Sequence, residues 1–154
     1  TLFGVVLGLG CVHSGTCAQD FSHEGSALRS CDSVWLNVAA IGPHDDPLRK
    51  EIVRVAEEQA ERALRESGEQ AKWRGSCPLV IAVTWEKGPV CGDQRVIAAN
   101  VEVRVPGASG DLFYRTTLDV GWQDEVIEII QQRVAMFVHE YSLARWVALG
   151  MPEK

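Results

Sequence analysis

Histidine, carboxylate, serine and cysteine side chains are the groups in this 154-residue chain whose spacing decides whether they do chemistry. His139 and Glu140 are adjacent, but the chain continues Tyr-Ser-Leu-Ala-Arg without a second His one turn later. The two-histidine zinc pattern of a helix is therefore absent, and His139 reads as a satisfied surface or half-buried residue. His44, Asp45 and Asp46 form a short run able in principle to hold a cation. Pro47 follows directly, and an acid before a first-turn proline suits a helix N-cap, so capping is the job expected of Asp46. Ser142 lies in a helical stretch, and the chain has no Gly-x-Ser-x-Gly elbow, no Walker-type phosphate loop and no Gly-x-Gly-x-x-Gly after a strand. No catalytic residue, metal or cofactor is expected, and the chain reads as a non-enzyme.

The five cysteines, Cys11, Cys17, Cys31, Cys77 and Cys91, contain no Cys-x-x-Cys pair, which removes support for a thioredoxin-like centre or a zinc knuckle. They gain meaning from a break in composition. All 15 Lys and Arg and all 21 Asp and Glu lie from Asp20 onward. The apolar run from Leu2 to Val12 has the length of a signal-peptide core and is too short to span a bilayer, while Thr16 and Ala18 suit the −3 and −1 positions of a cleavage site before Gln19. The reading is a signal peptide over residues 1–18, a flexible arm over 19–32 and one domain over 33–150. A lipid anchor at Cys11 is the second choice. Cleavage after Ala18 leaves three cysteines and lipidation at Cys11 leaves four, so parity does not choose between them.

The elements follow from periodicity. Ser33–Ile41 alternates and reads as a strand. From Leu48, apolar residues recur at helical spacing through Leu64, with Gly68 as the stop. Leu79–Trp85 is short and rich in β-branched residues, hence a buried strand. The run Glu86–Gln94 carries Gly-Pro and Gly-Asp turn signals and reads as a loop. Arg95–Val105 and Asp111–Val120 alternate across a Pro-Gly-Ala-Ser-Gly turn as a hairpin. The last helix is expected to start at Asp124 as N-cap and run to about Leu149. The order β-α-β-β-β-α predicts an α+β domain, a mixed sheet with two helices on one face. If the first two strands are parallel neighbours, Cys31 and Cys77 both precede their strand at the same sheet end. A Cys31–Cys77 bridge is therefore the first pairing expected, with Cys91 free or an alternative partner.

The apolar fraction of 46% and charged fraction of 23% are those of a chain that packs a core. The net charge of −6, with Lys and Arg scattered among acids, argues against nucleic acid or an anionic membrane surface as partner. The five tryptophans, Trp35, Trp73, Trp85, Trp122 and Trp146, are dispersed and read as core or half-core residues, not as a stacking platform.

The succession of Ser33–Leu64, Leu79–Trp85 and Arg95–Val138, with its V-x-V-x-V and Gly-Asp hairpin, resembles the N-terminal domain of TolB and the related domains of LpoB- and CsgG-like envelope proteins. That resemblance, over about Val34 to Leu149, implies a non-catalytic periplasmic or otherwise exported domain that binds another protein in envelope assembly or maintenance. It carries over no functional residue. On the returning strand, the face of Phe113, Arg115 and Thr117 is taken as the candidate protein-binding surface, opposite Leu112, Tyr114 and Leu118. A secreted inhibitor or immunity protein is the alternative class, and a small exported hydrolase a further one.

Overall fold

The computed structural model describes residues 28, 31, 33–69, 71–72 and 75–150. The expected signal peptide and the Cys11 anchor lie outside the described residues, as does Cys17. Strand β1 (Val34–Ile41) is followed by helix α1 (Leu48–Glu66), strands β2 (Cys77–Cys91), β3 (Gln94–Gly107) and β4 (Gly110–Trp122), and helix α2 (Val126–Ala148). The four strands form one sheet in the order β1-β2-β3-β4. β1 runs parallel to β2 and the remaining pairs are antiparallel. This is the α+β arrangement expected from the pattern.

Strand alternation divides the sheet into two faces. Leu79, Ile81, Val83 and Trp85 of β2 are buried with Ile97, Val101, Val103 and Val105 of β3. They meet Ile52, Ala56 and Leu64 of α1 and Ile130, Val134 and Tyr141 of α2 in one core. α1 packs against β1, whereas α2 packs against both β3 and β4, and the two helices pack against each other.

α1 starts one residue later than expected, with Pro47 at the N-cap position in place of the first helical turn, and Asp46 serves the helix start from just outside it. Asp46 Oδ1 accepts the Leu48 N–H at 3.1 Å, and the Asp46 carbonyl accepts the Arg49 N–H at 3.1 Å. Asp46 Oδ2 accepts the Trp85 indole N–H at 3.0 Å and lies 3.2 Å from the Lys87 ammonium, so a buried carboxylate ties helix to sheet. Burial would push its pKa up, but the Trp85, Leu48 and Lys87 donors outweigh burial and hold it below the usual carboxylate range. Gly42 is required beside this cluster, because a Cβ there would fall 2.1 Å from the Trp85 ring. α1 ends with Gly68 at φ 77° and the Glu69 N–H donating to the Leu64 carbonyl at 2.8 Å, a C-terminal motif that favours glycine.

Two expectations need correction. The run Glu86–Gln94 is a continuation of the β2–β3 hairpin, not a loop: Gly88 and Pro89 sit in a bulge between Lys87 and Val90, and Gly92 at φ 68° begins the two-residue turn between Cys91 and Gln94. A bulge interrupts the ladder where proline has no N–H to give, which is how turn signals survive inside a strand. α2 begins at Val126 behind Glu125 without a side-chain cap, so Asp124 is not its N-cap. Within the expected arm, Leu28 and Cys31 are buried in the core, and the Cys31 carbonyl accepts Arg145 Nε–H at 2.9 Å. The local polarity of that stretch hid one leucine and one cysteine that packing retains.

Candidate protein-docking surface

Cys31 and Cys77 form a disulfide with Cα atoms 5.5 Å apart, the pairing expected from the parallel β1–β2 register. Cys91 is free and exposed beside the β2–β3 turn. Next to the disulfide, Arg145 pairs with Glu69, which is otherwise enclosed. Burial is the main influence on Glu69 and raises its pKa, with Arg145 opposing. Burial likewise drives the Tyr141 hydroxyl well above the usual phenol range.

The remaining candidates for chemistry are structural ties. His139 Nδ1 lies 3.2 Å from Ser67 Oγ and His139 Nε2 lies 3.3 Å from Glu66 Oε2, so the imidazole clasps the C-terminal end of α1 to α2. His139 and Glu66 are open to solvent, and this clasp has no wall to exclude water from a reacting group. His44 and Asp45 are exposed at 3.4 Å from one another, while Asp46 is turned inward to its cap. Among the described residues no group of three His, Cys, Asp or Glu converges on a point that could hold a metal. An open groove of about 1110 Å³ lies between the outer hairpin and the helix starts, lined by Leu48, Glu51, Val90, Arg95, Ile127 and Glu128 among others. Glu51 and Glu128 stand in the first turns of α1 and α2, where they complement the helix dipoles.

β4 presents two very different faces. Phe113 is 1% exposed and meets Tyr141 edge-on, with ring centroids 5.7 Å apart, and Arg115 Cζ lies 4.7 Å from the Phe113 centroid. Arg115 Nε–H donates to Glu140 at 2.8 Å. Thr117 Oγ1 lies 3.3 Å from Asp119 Oδ2, and Asp119 holds Arg133 through two bonds of 2.8 and 3.0 Å. The Arg133 hydrogen bonds hold the Asp119 pKa down. Phe113, Arg115 and Thr117 therefore lie on the helix side of β4, Phe113 buried and Arg115 tied to α2, and it is the other set of β4 side chains that faces outward. Alternation gives two sets of residues on a strand without saying which set meets the helix. The charges of Arg115 and Asp119 mislead because each finds its partner on α2.

The outward set is Tyr114, Thr116, Leu118, Val120 and Trp122. Leu118 and Val120 are 69% and 67% exposed, and Ile41, at the other edge of the sheet, is 57% exposed. The register extends this face across the sheet: Ile41 pairs with Thr84, Thr84 with Asn100 and Asn100 with Leu118, and Ala98 pairs with Val120 and Val96 with Trp122. One polar band crosses it, where Glu102 accepts from Tyr114 Oη–H at 3.3 Å and lies 3.6 Å from Arg104. Asn100 Nδ2–H also donates to Thr116 Oγ1 at 2.9 Å, fixing the amide flat on the strand. The result is a sheet face that neither helix covers, apolar along β4 at Leu118, Val120 and Trp122 and more polar toward β1 and β2, where Asn37, Thr84 and Glu86 share it. The β4 side of such a face can bury apolar area against another molecule.

No family model matches the chain, and no curated protein does. Among solved structures, a PelC dodecamer variant from Paraburkholderia phytofirmans is similar at 18% identity and TM-score 0.48, over 73% of this chain and 90% of that one. A minor lipoprotein from Acinetobacter baumannii is similar at 12% identity and TM-score 0.33, over 73% and 92%. A Xanthomonas campestris protein of the DUF330 family is similar at 14% identity and TM-score 0.38, over 76% and 85%. These likenesses transfer no residue role, which has to come from the side chains of this chain. No helix among the described residues is long and apolar enough to cross a membrane.

Proposed function

We propose that this chain is an exported, non-catalytic cell-envelope domain that binds another protein through its open sheet face. The observation that carries the reading is the apolar run of Leu118, Val120 and Trp122 on the open face of β4, uncovered among the described residues, in strand positions where a monomer ordinarily places polar residues. The Cys31–Cys77 disulfide supports an oxidising compartment, since structural disulfides are rare where thiols are kept reduced. The composition break before Asp20 and the resemblance in element order to TolB-type envelope domains point the same way.

The test is a photo-crosslinking amino acid placed at Thr116 in the full chain, expressed in its own host. The expected result is one dominant adduct with an exported protein, lost when Leu118→Lys and Val120→Lys are combined while the melting temperature stays unchanged. An adduct unaffected by the double substitution would remove the sheet face from the reading. Recovery of the chain with Cys31 and Cys77 reduced and cytoplasmic would remove the compartment.

A further inference from the structure

A second surface has its own pattern. β4 is the outer strand of the sheet, 13 residues long, and among the described residues no other strand pairs with its outer side, although its Tyr114 carbonyl accepts Arg115 Nη1–H at 2.8 Å. The opposite edge is partly covered, because Ala71 bridges Val34 and the Lys72 N–H donates to the Val34 carbonyl at 2.9 Å. Edge strands that stay unpaired are usually short, or carry proline, outward lysine, a bulge or inward-pointing charges. β4 has no proline and no lysine; its bulge lies at the turn end, by Val105 and Pro106, and its inward charges, Arg115 and Asp119, are neutralised by α2, which leaves Thr116, Leu118 and Val120 as an edge without an outward charge.

α2 adds a second anomaly. Besides the stripe it buries, it carries Ile129, Met136, Leu143 and Val147 on another side, and the last three are exposed. The contacts of β4 locate that side. Asp119 holds Arg133 and Arg115 holds Glu140, while a Cβ on Gly121 would lie 2.9 Å from Ile129. Met136 therefore stands level with Thr117, and the apolar stripe runs along the free edge of β4.

We infer that two copies of this chain pair antiparallel through their β4 edges, with the two-fold axis at Thr117, into a continuous eight-stranded sheet. That register is self-complementary. Arg115 faces Asp119 of the other copy, so the chain of charges runs Glu140, Arg115, Asp119 and Arg133 across the joint. Phe113 faces Gly121 of the other copy, a pairing in which an aromatic ring covers a bare glycine. On the open face Tyr114 meets Val120 and Leu112 meets Trp122. The helices agree independently. α2 lies over β3 and β4, so with strands about 4.8 Å apart its axis falls roughly 5 Å from the two-fold. The two α2 helices are then about 10 Å apart, the distance of packed helices. Met136 meets Met136 of the other copy on the axis, and Ile129 meets Leu143. One symmetry operation thus covers the open edge and the exposed stripe together. This edge adjoins the proposed partner-binding face and extends it across both copies, so a Thr116 crosslink to the second copy is told from one to another protein by the mass of the adduct.

The test uses the full chain. Light scattering at tens of micromolar is expected to give a dimer, and Leu143→Glu to raise its dissociation constant by about tenfold or more with the melting temperature of the dissociated chain kept. In a Cys91→Ser background, Met136→Cys is expected to form a disulfide-linked dimer under mild oxidation and Leu143→Cys not to, because only Met136 lies on the axis. A monomer at these concentrations would overturn the inference. So would a dimer indifferent to Leu143→Glu in which Met136→Cys does not cross-link, or a monomer whose β4 amides are protected from exchange by another segment of the same chain. The two proposals fail separately: a parent chain that is monomeric yet still gives the Thr116 adduct with another protein discards the dimer alone, and a dimer that gives no such adduct discards the partner-binding face alone.

Discussion

Asp46 joins the start of α1 to strand β2. Its two oxygens take the first N–H of α1, the Trp85 indole and the Lys87 ammonium, within a core that leaves the residue almost no solvent. Asp46→Ala removes a cap, worth about 0.5–2 kcal/mol, and strands a buried indole N–H, costing about 1–3 kcal/mol. A loss of about 2–4 kcal/mol is expected in denaturant unfolding, with the slope unchanged. The pH dependence carries a sign that checks the cause. The folded-state pKa of Asp46 is depressed, so its contribution is complete above the unfolded value of about 3.9 and disappears as pH falls from there through the folded pKa. Asp119 acts in the same direction, held by Arg133. Glu69 acts oppositely, because burial raises its pKa: what it contributes is present below its unfolded pKa and is lost as pH rises through the folded one. The Asp46→Ala variant should therefore lose less stability than the parent between about pH 4 and the acid limit. Equal acid slopes in the two proteins would assign the acid sensitivity elsewhere. Part of this was legible without coordinates: Asp46 before Pro47 announces a cap. The bond to Trp85, 39 residues away in sequence, has no local signal.

At the scale of elements, the disulfide joins the segment before β1 to the start of β2 across 46 residues. Closing a loop of that size in the unfolded chain is worth about 4 kcal/mol on the chain-entropy account. Cys31→Ser with Cys77→Ser should lower unfolding free energy by about 3–4 kcal/mol, whereas Cys91→Ser should leave it within about 0.5 kcal/mol, as for an exposed surface change. Equal losses from the two changes would mean that Cys91 has a partner in the folded protein. The bridge was readable because parallel register places two residues preceding their strands side by side, a geometric rule needing only the element order. Element existence was readable for the same reason, since alternation and helical spacing in this chain are regular. The outer β2–β3 hairpin was not, because a bulge around Gly88 and Pro89 imitates a loop in composition. The side of β4 that meets α2 was not either: a period of two is symmetric, and the ion pairs that break the symmetry join β4 to a helix not yet placed. The outer stripe of α2 was hidden by the same limitation, because an apolar residue on a helix says nothing about which side the core occupies.

For the molecule as a whole, charge and apolar surface oppose each other. The net charge of −6 at neutral pH opposes association beyond the inferred dimer, while the open sheet face favours it. Repulsion fades as pH approaches the isoelectric point near 5.2, and the apolar face then dominates. Light scattering of the full chain should accordingly peak close to that pH and fall on either side. Replacing Leu118 and Val120 together by Ser leaves the charge unchanged and removes two of the most exposed apolar side chains from the face. The peak should keep its position but lose most of its height, and the fold should be unaffected because neither side chain contributes to the core. Replacing the same pair by Lys adds two positive charges, which should also move the peak upward in pH. A peak of undiminished height in the Ser variant would show that charge neutralisation alone drives association. The sheet face would then have no intrinsic tendency to bury itself, and its proposed use as a docking surface would lose its physical basis.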